Sequence, residues 1–189
     1  MMTIRAANTT RDIEECFRIR AEVFIVEQGV PADLERDEHD SKALHFIALT
    51  DGQSVGTARV VLGDSGTSAK IGRVAVYRSN RGLGIGKLLI AAIEGYPDLK
   101  RVHTFYLDAQ THALQFYEGL GYEAYGKEIM DAGMPHRRMK KRNRHSVARD
   151  QESPPCESKA PTAAARRPVR KREPIRRGLS TKRSIGRLP

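Results

Sequence analysis

The chain has 189 residues and a formal net charge of +10, a length that fits one domain with a tail and excludes a large multidomain assembly. Its two cysteines, Cys16 and Cys156, cannot build a disulfide framework, no spacing of Cys or His residues suggests a metal site, and no apolar run is long enough for a signal peptide or a membrane span. We therefore expect a cytoplasmic protein that makes no contact with a membrane.

The positive charge is concentrated at the C-terminal end of the chain. Residues 1–140 carry 18 Lys and Arg against 19 Asp and Glu, whereas residues 141–189 carry 15 against 4. The second segment also holds most of the prolines and no aromatic residue, so it cannot bury enough apolar surface to offset the entropy of ordering it. We predict a folded domain over residues 1–140 and a disordered, basic, Pro- and Arg-rich tail over residues 141–189.

The first predicted elements are a short strand and a helix. Residues 4–6 fit a strand, and Thr9 with Asp12 three residues later is typical of a helix start. Residues 31–40 are polar and are predicted to form a loop. Before this loop, apolar residues recur at helical spacing, at Ile13, Phe17, Ala21 and Phe24.

Three strands are predicted next. Residues 44–49 and 54–62 are rich in β-forming side chains and flank Asp51 and Gly52, a pair that favours a hairpin turn. A third strand ends at Tyr77, and strand and helix patterns alternate after it. This order predicts an α/β (α+β) fold in which helices pack on a mixed sheet.

A glycine-rich segment follows the third strand and indicates an anionic ligand. It comes after the apolar stretch Val74, Ala75 and Val76, and it consists of Arg81, Gly82, Leu83, Gly84, Ile85, Gly86 and Lys87. Glycines let main-chain N–H groups converge on an anion, and the helix predicted after them adds free N–H groups and the positive end of its dipole. A phosphate or pyrophosphate is therefore the expected occupant.

Two common phosphate-binding motifs do not fit this segment. A Walker A loop needs Gly at position 81 and Ser or Thr at position 88, where the chain has Arg81 and Leu88. A dinucleotide-binding fingerprint needs a third Gly at position 87, where the chain has Lys87. A glycine-rich turn that only starts a helix is the alternative interpretation.

The segment does fit the pattern Arg-x-x-Gly-x-Gly through Arg81, Gly84 and Gly86, and this pattern resembles the acetyl-CoA loop of the GCN5-related N-acetyltransferase (GNAT) family. A downstream helical run with Phe116 and Tyr117, followed by a Gly-Tyr turn, resembles the second half of that family. The chain also resembles the small ElaA-like branch of this family, through residues 23–31 and 133–136 and through Asp37, Asp40 and His45. These matches imply the GNAT fold, which has a central mixed, mostly antiparallel twisted sheet flanked by helices.

The resemblance also implies a function and its residues. It implies an acyltransferase that moves the acetyl group of acetyl-CoA, its cosubstrate, to a primary amine by direct attack in a ternary complex. Residues 82–87 would hold the pyrophosphate with added charge from Arg81 and Lys87, and the backbone of residues 74–76 would pair with the pantetheine arm and polarise the thioester carbonyl. Tyr117 would be the general acid, although its apolar helix face is also typical of a core residue.

The general base is expected in or near the acidic segment of residues 33–40. The match to the ElaA-like pattern favours Asp37, Asp40 and His45, and the further candidates are Asp33, Glu35, Glu38 and His39. A solvated acidic loop is the alternative for Asp33 and Glu35. His103, His112 and His136 are interpreted as structural or exposed. Cys16 is interpreted as a small core residue.

The expected partners follow from the same reasoning. The acceptor is a small-molecule amine or a protein lysine, and the protein is a monomer or a homodimer. The tail has the composition of a weak phosphate-backbone contact but no aromatic residue for stacking on single strands, and a solvated extension is equally compatible with it. The alternative function is a nucleic-acid-associated protein that uses this tail, with the GNAT domain as a non-catalytic acyl-CoA-binding module.

Overall fold

The structure is a computed structural model that describes residues 1–144 and residue 146. The predicted tail lies outside the described residues except for its first few positions, and Cys156 lies outside them as well. The boundary predicted at residue 140 falls inside the last strand, which ends at Arg142, and the next residue, Asn143, is buried. Among the described residues, no helix is long and apolar enough to cross a membrane.

In the described part of the chain, seven strands form one sheet: β1 (Met2–Ala6), β2 (Leu44–Thr50), β3 (Gln53–Leu62), β4 (Ser68–Val76), β5 (Thr104–Gln110), β6 (Glu123–Asp131) and β7 (Met134–Arg142). They lie in the order β1–β2–β3–β4–β5–β7–β6, and among these strands only β4 and β5 are parallel neighbours. The predicted mixed, mostly antiparallel sheet is confirmed. Asp51 and Gly52, with φ values of 50° and 80°, join β2 to β3 as the hairpin turn that the sequence predicts.

Four α-helices formed by described residues flank the sheet: α1 (Thr10–Arg20), α2 (Ala32–Glu35), α3 (Ile85–Glu94) and α4 (Leu114–Glu118). Short 3-10 turns occur at Asp40–Lys42, Arg78–Asn80, Pro97–Leu99 and Thr111–Ala113. The predicted start of α1 is confirmed by a capping box in which the Thr9 side chain and the Asp12 carboxylate each accept the other's main-chain N–H. The helix continues as a π-helix over Ala21–Glu27, a rare form that is frequent at functional sites. The predicted loop of residues 31–40 contains α2.

Two apolar clusters hold helices on opposite faces of the sheet. The main core lies under α3 and α4 and includes Phe46, Ile71, Leu89, Ile93, Phe105 and Met139. On the other face, Ile19 of α1 and Val23 of the π-helix pack on Ala75 of β4. Because a fully buried side chain of this kind contributes roughly 1.5–3 kcal/mol, the clusters fix α1 and α3 on either side of β4.

β4 and β5 separate along most of their length. They pair only over residues 68–70 of β4 and 104–106 of β5. β4 also contains a bulge opposite residues 57–59, where Arg73 has a φ of 50°. Residues 71–76 therefore have β3 on one side and an opening in the sheet on the other.

Candidate active site

The glycine-rich segment lies at the end of β4, where the sheet opens. Gly82 and Gly84 have φ values of 80° and 76°, which strain any other residue, and a Cβ at either position would meet nothing within 4 Å. Gly84 is the N-cap of α3 and provides no side-chain cap, so the N–H groups of Ile85, Gly86 and Lys87 have no acceptor within the helix. The segment is an open cradle of main-chain donors, which fits an anionic group.

Two further glycines bring the neighbouring elements close to this cradle. A Cβ on Gly56 of β3 would lie 3.2 Å from Ile85 and 3.3 Å from Val76, so glycine at this position lets the start of α3 pack tightly on β3 and β4. A Cβ on Gly86 would lie 3.2 Å from the ring of Phe116 in α4. The ends of β4, α3 and α4 therefore meet at one place.

The main chain of β4 presents polar groups to the opening. The N–H of Tyr77 donates to the Val55 carbonyl of β3 at 3.0 Å. Because successive residues of a strand direct these groups to opposite sides, those of Val74 and Val76 point toward the opening. Their side chains pack on the main core, whereas Ala75 packs under α1. Val74 and Val76 thus form core with their side chains and leave their main-chain N–H groups for a ligand.

Arg81 stabilises the cradle by bonding to other residues of the protein. Its guanidinium donates to the Glu27 carboxylate at 2.6 and 2.7 Å, and its Nε donates to the Val76 carbonyl at 3.0 Å. The pairing raises the pKa of Arg81 and lowers that of Glu27. The charge that the sequence interpretation assigned to a ligand is therefore compensated by Glu27. Lys87 is exposed and forms no ion pair with a described residue, so it is the available cation of the cradle.

Tyr117 lies on α4, half-buried against the main core. Its ring contacts those of Phe116 and Tyr122 edge to face, with centroids 4.9 and 6.0 Å apart. The hydroxyl has no hydrogen-bond partner among the described residues, and burial raises the pKa of Tyr117 to about 12. This phenol stays protonated at physiological pH and can donate to a ligand.

Asp37 and Asp40 belong to a buried charge cluster on the α1 side of the sheet. We define the charge cluster by its members Arg20, Glu35, Asp37, Asp40, Arg59 and Arg73. Asp40 accepts from Arg20 at 2.6 Å and from Arg59 at 2.8 Å, and Asp37 accepts from Arg59 at 2.7 Å. Burial alone would raise the pKa of Asp40, but the two guanidinium groups hold it well below its usual range, and Arg59 lowers the pKa of Asp37. Paired carboxylates of low pKa are weak bases, so this geometry supports a structural role in place of the predicted catalytic one.

The charge cluster fastens the acidic segment to β4 beside the opening. Arg73, in the bulge of β4, donates to the main-chain carbonyls of Glu35 at 3.0 Å and Leu34 at 2.9 Å. Arg20 is fully buried and donates to the Glu35 carboxylate at 2.5 Å. As a result, α2 is held next to Arg73, which directly precedes Val74 in β4.

His45 lies in β2 next to the charge cluster. Its Nε2 donates to the Asp40 carbonyl at 3.0 Å, and its Nδ1 is buried without a partner among the described residues. Burial lowers the pKa of His45, so the imidazole is neutral at physiological pH. With one nitrogen engaged and the other enclosed, the geometry gives little support to the predicted role of His45 as a base.

The end of the π-helix bridges the opening on the α1 side. Gln28 accepts a hydrogen bond from the side chain of Gln110, the last residue of β5, at 3.0 Å. The preceding residue, Glu27, is bonded to Arg81 at the end of β4. Glu27 therefore contacts the β4 side of the opening, and the adjacent Gln28 contacts the β5 side.

His136, which the sequence interpretation took as structural or exposed, lies at the opening and is a further candidate site residue. It pairs with Gln110 across β7 and β5, so both side chains lie on the same face. Its Nδ1 donates to the Met134 carbonyl at 2.9 Å, which leaves Nε2 as an acceptor with no partner among the described residues. The sequence signal for this position is its place in residues 133–136, which resemble the ElaA-like branch, but only the pairing of β5 with β7 brings His136 to the opening.

Comparison with known proteins gives a family match. A family model described as the acetyltransferase (GNAT) domain matches residues 7–143. A protein of Bacillus subtilis (strain 168), named as a candidate acetyltransferase, is 36% identical over 146 residues, which cover 75% of this chain and 97% of that protein. The matched region contains the glycine cradle, Tyr117 and His136.

The solved structures that share the fold include one from Pseudomonas aeruginosa and one from Escherichia coli. An acyl-CoA N-acyltransferase from Pseudomonas aeruginosa aligns with a TM-score of 0.64 and 28% identity, over 74% of this chain and 97% of that one. Escherichia coli ElaA aligns with a TM-score of 0.63 and 25% identity, over 74% of this chain and 99% of that one. The fold implied by the sequence resemblance is therefore confirmed.

Proposed function

The chain belongs to the GNAT acetyltransferase family and is an acyltransferase, and we propose that it transfers the acetyl group of acetyl-CoA to a primary amine by direct attack in a ternary complex. The observation that carries the proposal is the open glycine cradle of residues 82–87 at the point where β4 separates from β5. The acyl-CoA N-acyltransferase named among the structural neighbours supports the choice of cosubstrate. The acceptor is the amine of a small molecule or of a protein lysine.

The cradle suits the phosphates of the cosubstrate. Acetyl-CoA supplies an activated acetyl group as a thioester. The main-chain N–H groups of Ile85, Gly86 and Lys87 would hold its pyrophosphate, and the ammonium group of Lys87 would add charge. Arg81 would act indirectly by fixing the ends of the π-helix and of β4.

The end of β4 would supply electrostatic catalysis. A main-chain N–H of Val74 or Val76 directed into the opening can stabilise the negative charge that develops on the carbonyl oxygen during attack. The bulge at Arg73 and the packing of Ala75 under α1 hold this stretch of main chain in place. A donor that is already oriented needs no reorganisation when the charge develops.

Tyr117 would donate to the leaving sulfur. Its pKa of about 12 keeps the hydroxyl protonated, and no described residue competes for it. The hydroxyl can therefore stabilise negative charge on sulfur by hydrogen bonding and supply the proton as the thiol leaves.

His136 would act as the general base. The bond from Nδ1 to the Met134 carbonyl fixes the tautomer and orients the ring, and Nε2 remains able to accept a proton from the attacking amine. This assignment replaces Asp37, Asp40 and His45, whose polar atoms are engaged or enclosed in and around the charge cluster.

Direct attack is supported by the state of Cys16, the cysteine within the described residues. Its side chain is fully buried, and burial raises the pKa of the thiol. A buried, protonated thiol is a poor nucleophile, so it is not suited to carry the acetyl group.

The proposal is tested by following thiol release from acetyl-CoA by the full chain with a panel of primary amines. Varying both substrates should give intersecting initial-rate plots, as direct transfer in a ternary complex requires. Parallel plots would indicate a covalent acetyl-enzyme and contradict direct attack. Binding of acetyl-CoA without thiol release for any amine would contradict the transferase assignment.

A further inference from the structure

Half of one sheet face carries no helix within the described part of the chain. α1 and the π-helix lie on β2, β3 and β4, whereas the main core with α3 and α4 occupies the opposite face. On β7, Met139 is buried in that core, so Arg138 and Lys140 on either side of it point the other way. We call this surface of β5, β7 and β6 the open face.

A row of exposed cations runs along β7 on the open face. It consists of Arg138, Lys140 and Arg142, and none of them forms an ion pair with a described residue. Alternate residues of a strand are about 6.6–6.8 Å apart, which is close to the separation of successive phosphates in an extended single strand. Of the nearby acids, Asp108 is neutralised by Lys70 at 2.6 Å. Glu123 lies opposite Lys140 on β6, and one carboxylate does not neutralise the three cations of the row.

Two tyrosines flank the cations. Tyr106 lies opposite Lys140 across β5 and β7, and Tyr125 lies opposite Arg138 across β6 and β7. Their ring centroids are 6.3 Å apart, and the ammonium of Lys140 is 5.5 Å from the Tyr125 centroid. A sheet surface that combines aromatic rings with cations is the arrangement by which sheet domains stack bases and hold the backbone of single strands.

A cleft continues the open face at one end of the strands. It has a volume of about 870 Å³. Its lining includes Tyr106, Glu123, Lys140, Arg142 and Arg144, together with Glu94, Leu120 and Lys141 on the side of α3 and α4. In the sequence, β7 leads on to residues 147–189, which carry 12 Lys and Arg against 4 Asp and Glu. The chain therefore adds further cations directly after the strand that bears the row.

We propose that the open face binds single-stranded nucleic acid, with Arg138, Lys140 and Arg142 on the phosphates and Tyr106 and Tyr125 stacked on bases. The open face carries both the cations and the aromatic rings that a single-stranded ligand requires. A second copy of the chain on this surface would place like charges opposite each other. A duplex would keep its bases stacked and away from the tyrosines. This binding is separate from acetyl transfer and does not depend on it.

The test is a titration of the full chain with fluorescein-labelled oligo(dT) of 20 nucleotides over a range of salt concentrations. The variant Arg138→Gln/Lys140→Gln should bind at least tenfold more weakly, and its salt slope should fall by about 1.4, since each single-strand phosphate contact contributes about 0.7. The matched control Arg11→Gln/Lys42→Gln also removes one Arg and one Lys, both exposed and outside the open face, and should bind within twofold of the unaltered chain.

Stacking is tested separately. The chain has no tryptophan and six tyrosines, so its intrinsic fluorescence reports on tyrosine, and oligo(dT) should quench it. Tyr106→Leu/Tyr125→Leu should reduce both the quenching and, by at least about fivefold, the affinity. Equal losses in the face pair and the control pair would overturn the proposal, because binding would then follow net charge alone. If the chain preferred a duplex or heparin to oligo(dT) and the tyrosine variants had no effect, the proposal would also be overturned. The absence of oligo(dT) binding would overturn it too.

Discussion

At the scale of single residues, Tyr117 allows catalysis to be separated from folding. Its hydroxyl has no partner among the described residues, so Tyr117→Phe should leave thermal stability and acetyl-CoA affinity unchanged while turnover falls by roughly 100-fold or more. The control is Tyr122→Phe, which removes a 3.0 Å bond to Glu94 and should cost about 1 kcal/mol of stability with little effect on turnover. Unchanged turnover of Tyr117→Phe would remove this residue from the mechanism.

His136 gives the second prediction at this scale. If Nε2 takes the proton of the attacking amine, His136→Gln should lower kcat/KM by roughly 100-fold or more and leave acetyl-CoA affinity unchanged, because only the proton transfer is lost. The comparison variant His45→Gln should change kcat/KM little, since the Nδ1 of His45 is enclosed and its Nε2 is bonded to Asp40. An unchanged kcat/KM in His136→Gln would rule out His136 as the base.

At the scale of elements, the charge cluster holds α2 against α1 and β4. Asp40→Asn would remove the carboxylate that Arg20 and Arg59 share and leave three arginines in the cluster against two carboxylates, those of Glu35 and Asp37, so we expect a loss of about 3–5 kcal/mol in the free energy of unfolding by urea. Asp33 on the same segment is exposed, so Asp33→Asn should change stability by less than about 0.5 kcal/mol. Equal stabilities of the two variants would show that the cluster does not secure α2.

The elements also show which features a sequence can predict. The capping box at Thr9 and the hairpin turn at Asp51 are local signals that depend on residues within a few positions, and both were predicted correctly. The bond between Glu27 and Arg81 joins residues 54 positions apart, and the pairing of His136 with Gln110 depends on strand order. The neutralisation of Arg81 and the position of His136 were missed because only the assembled sheet creates them.

At the scale of the whole molecule, stability should fall toward acid pH in two stages. His45 has a lowered pKa in the folded chain, so below its ordinary value of 6.5 the unfolded chain binds a proton that the folded chain does not, and folding is disfavoured. Asp12 and Asp40 also have lowered pKa values, and their contribution is lost as the pH falls below the ordinary value of 3.8.

Urea unfolding at a series of pH values from 8 to 3 measures both stages. His45→Gln should flatten the decline between pH 7 and 5 and leave the one below pH 4 intact. A rise in stability between pH 7 and 5 would contradict the lowered pKa of His45.

The central claim, that the glycine cradle at the end of β4 holds acetyl-CoA, is tested most directly by calorimetric titration of the full chain and two matched variants. Gly84 and Gly52 have similar φ values of 76° and 80°, and neither Cβ would meet an atom within 4 Å, so Gly84→Ala and Gly52→Ala should cost similar stability, about 1–2 kcal/mol. We expect one-to-one binding of acetyl-CoA by the unaltered chain and by Gly52→Ala, and at least tenfold weaker binding by Gly84→Ala. No heat with acetyl-CoA, or equal affinities of the two variants, would contradict it.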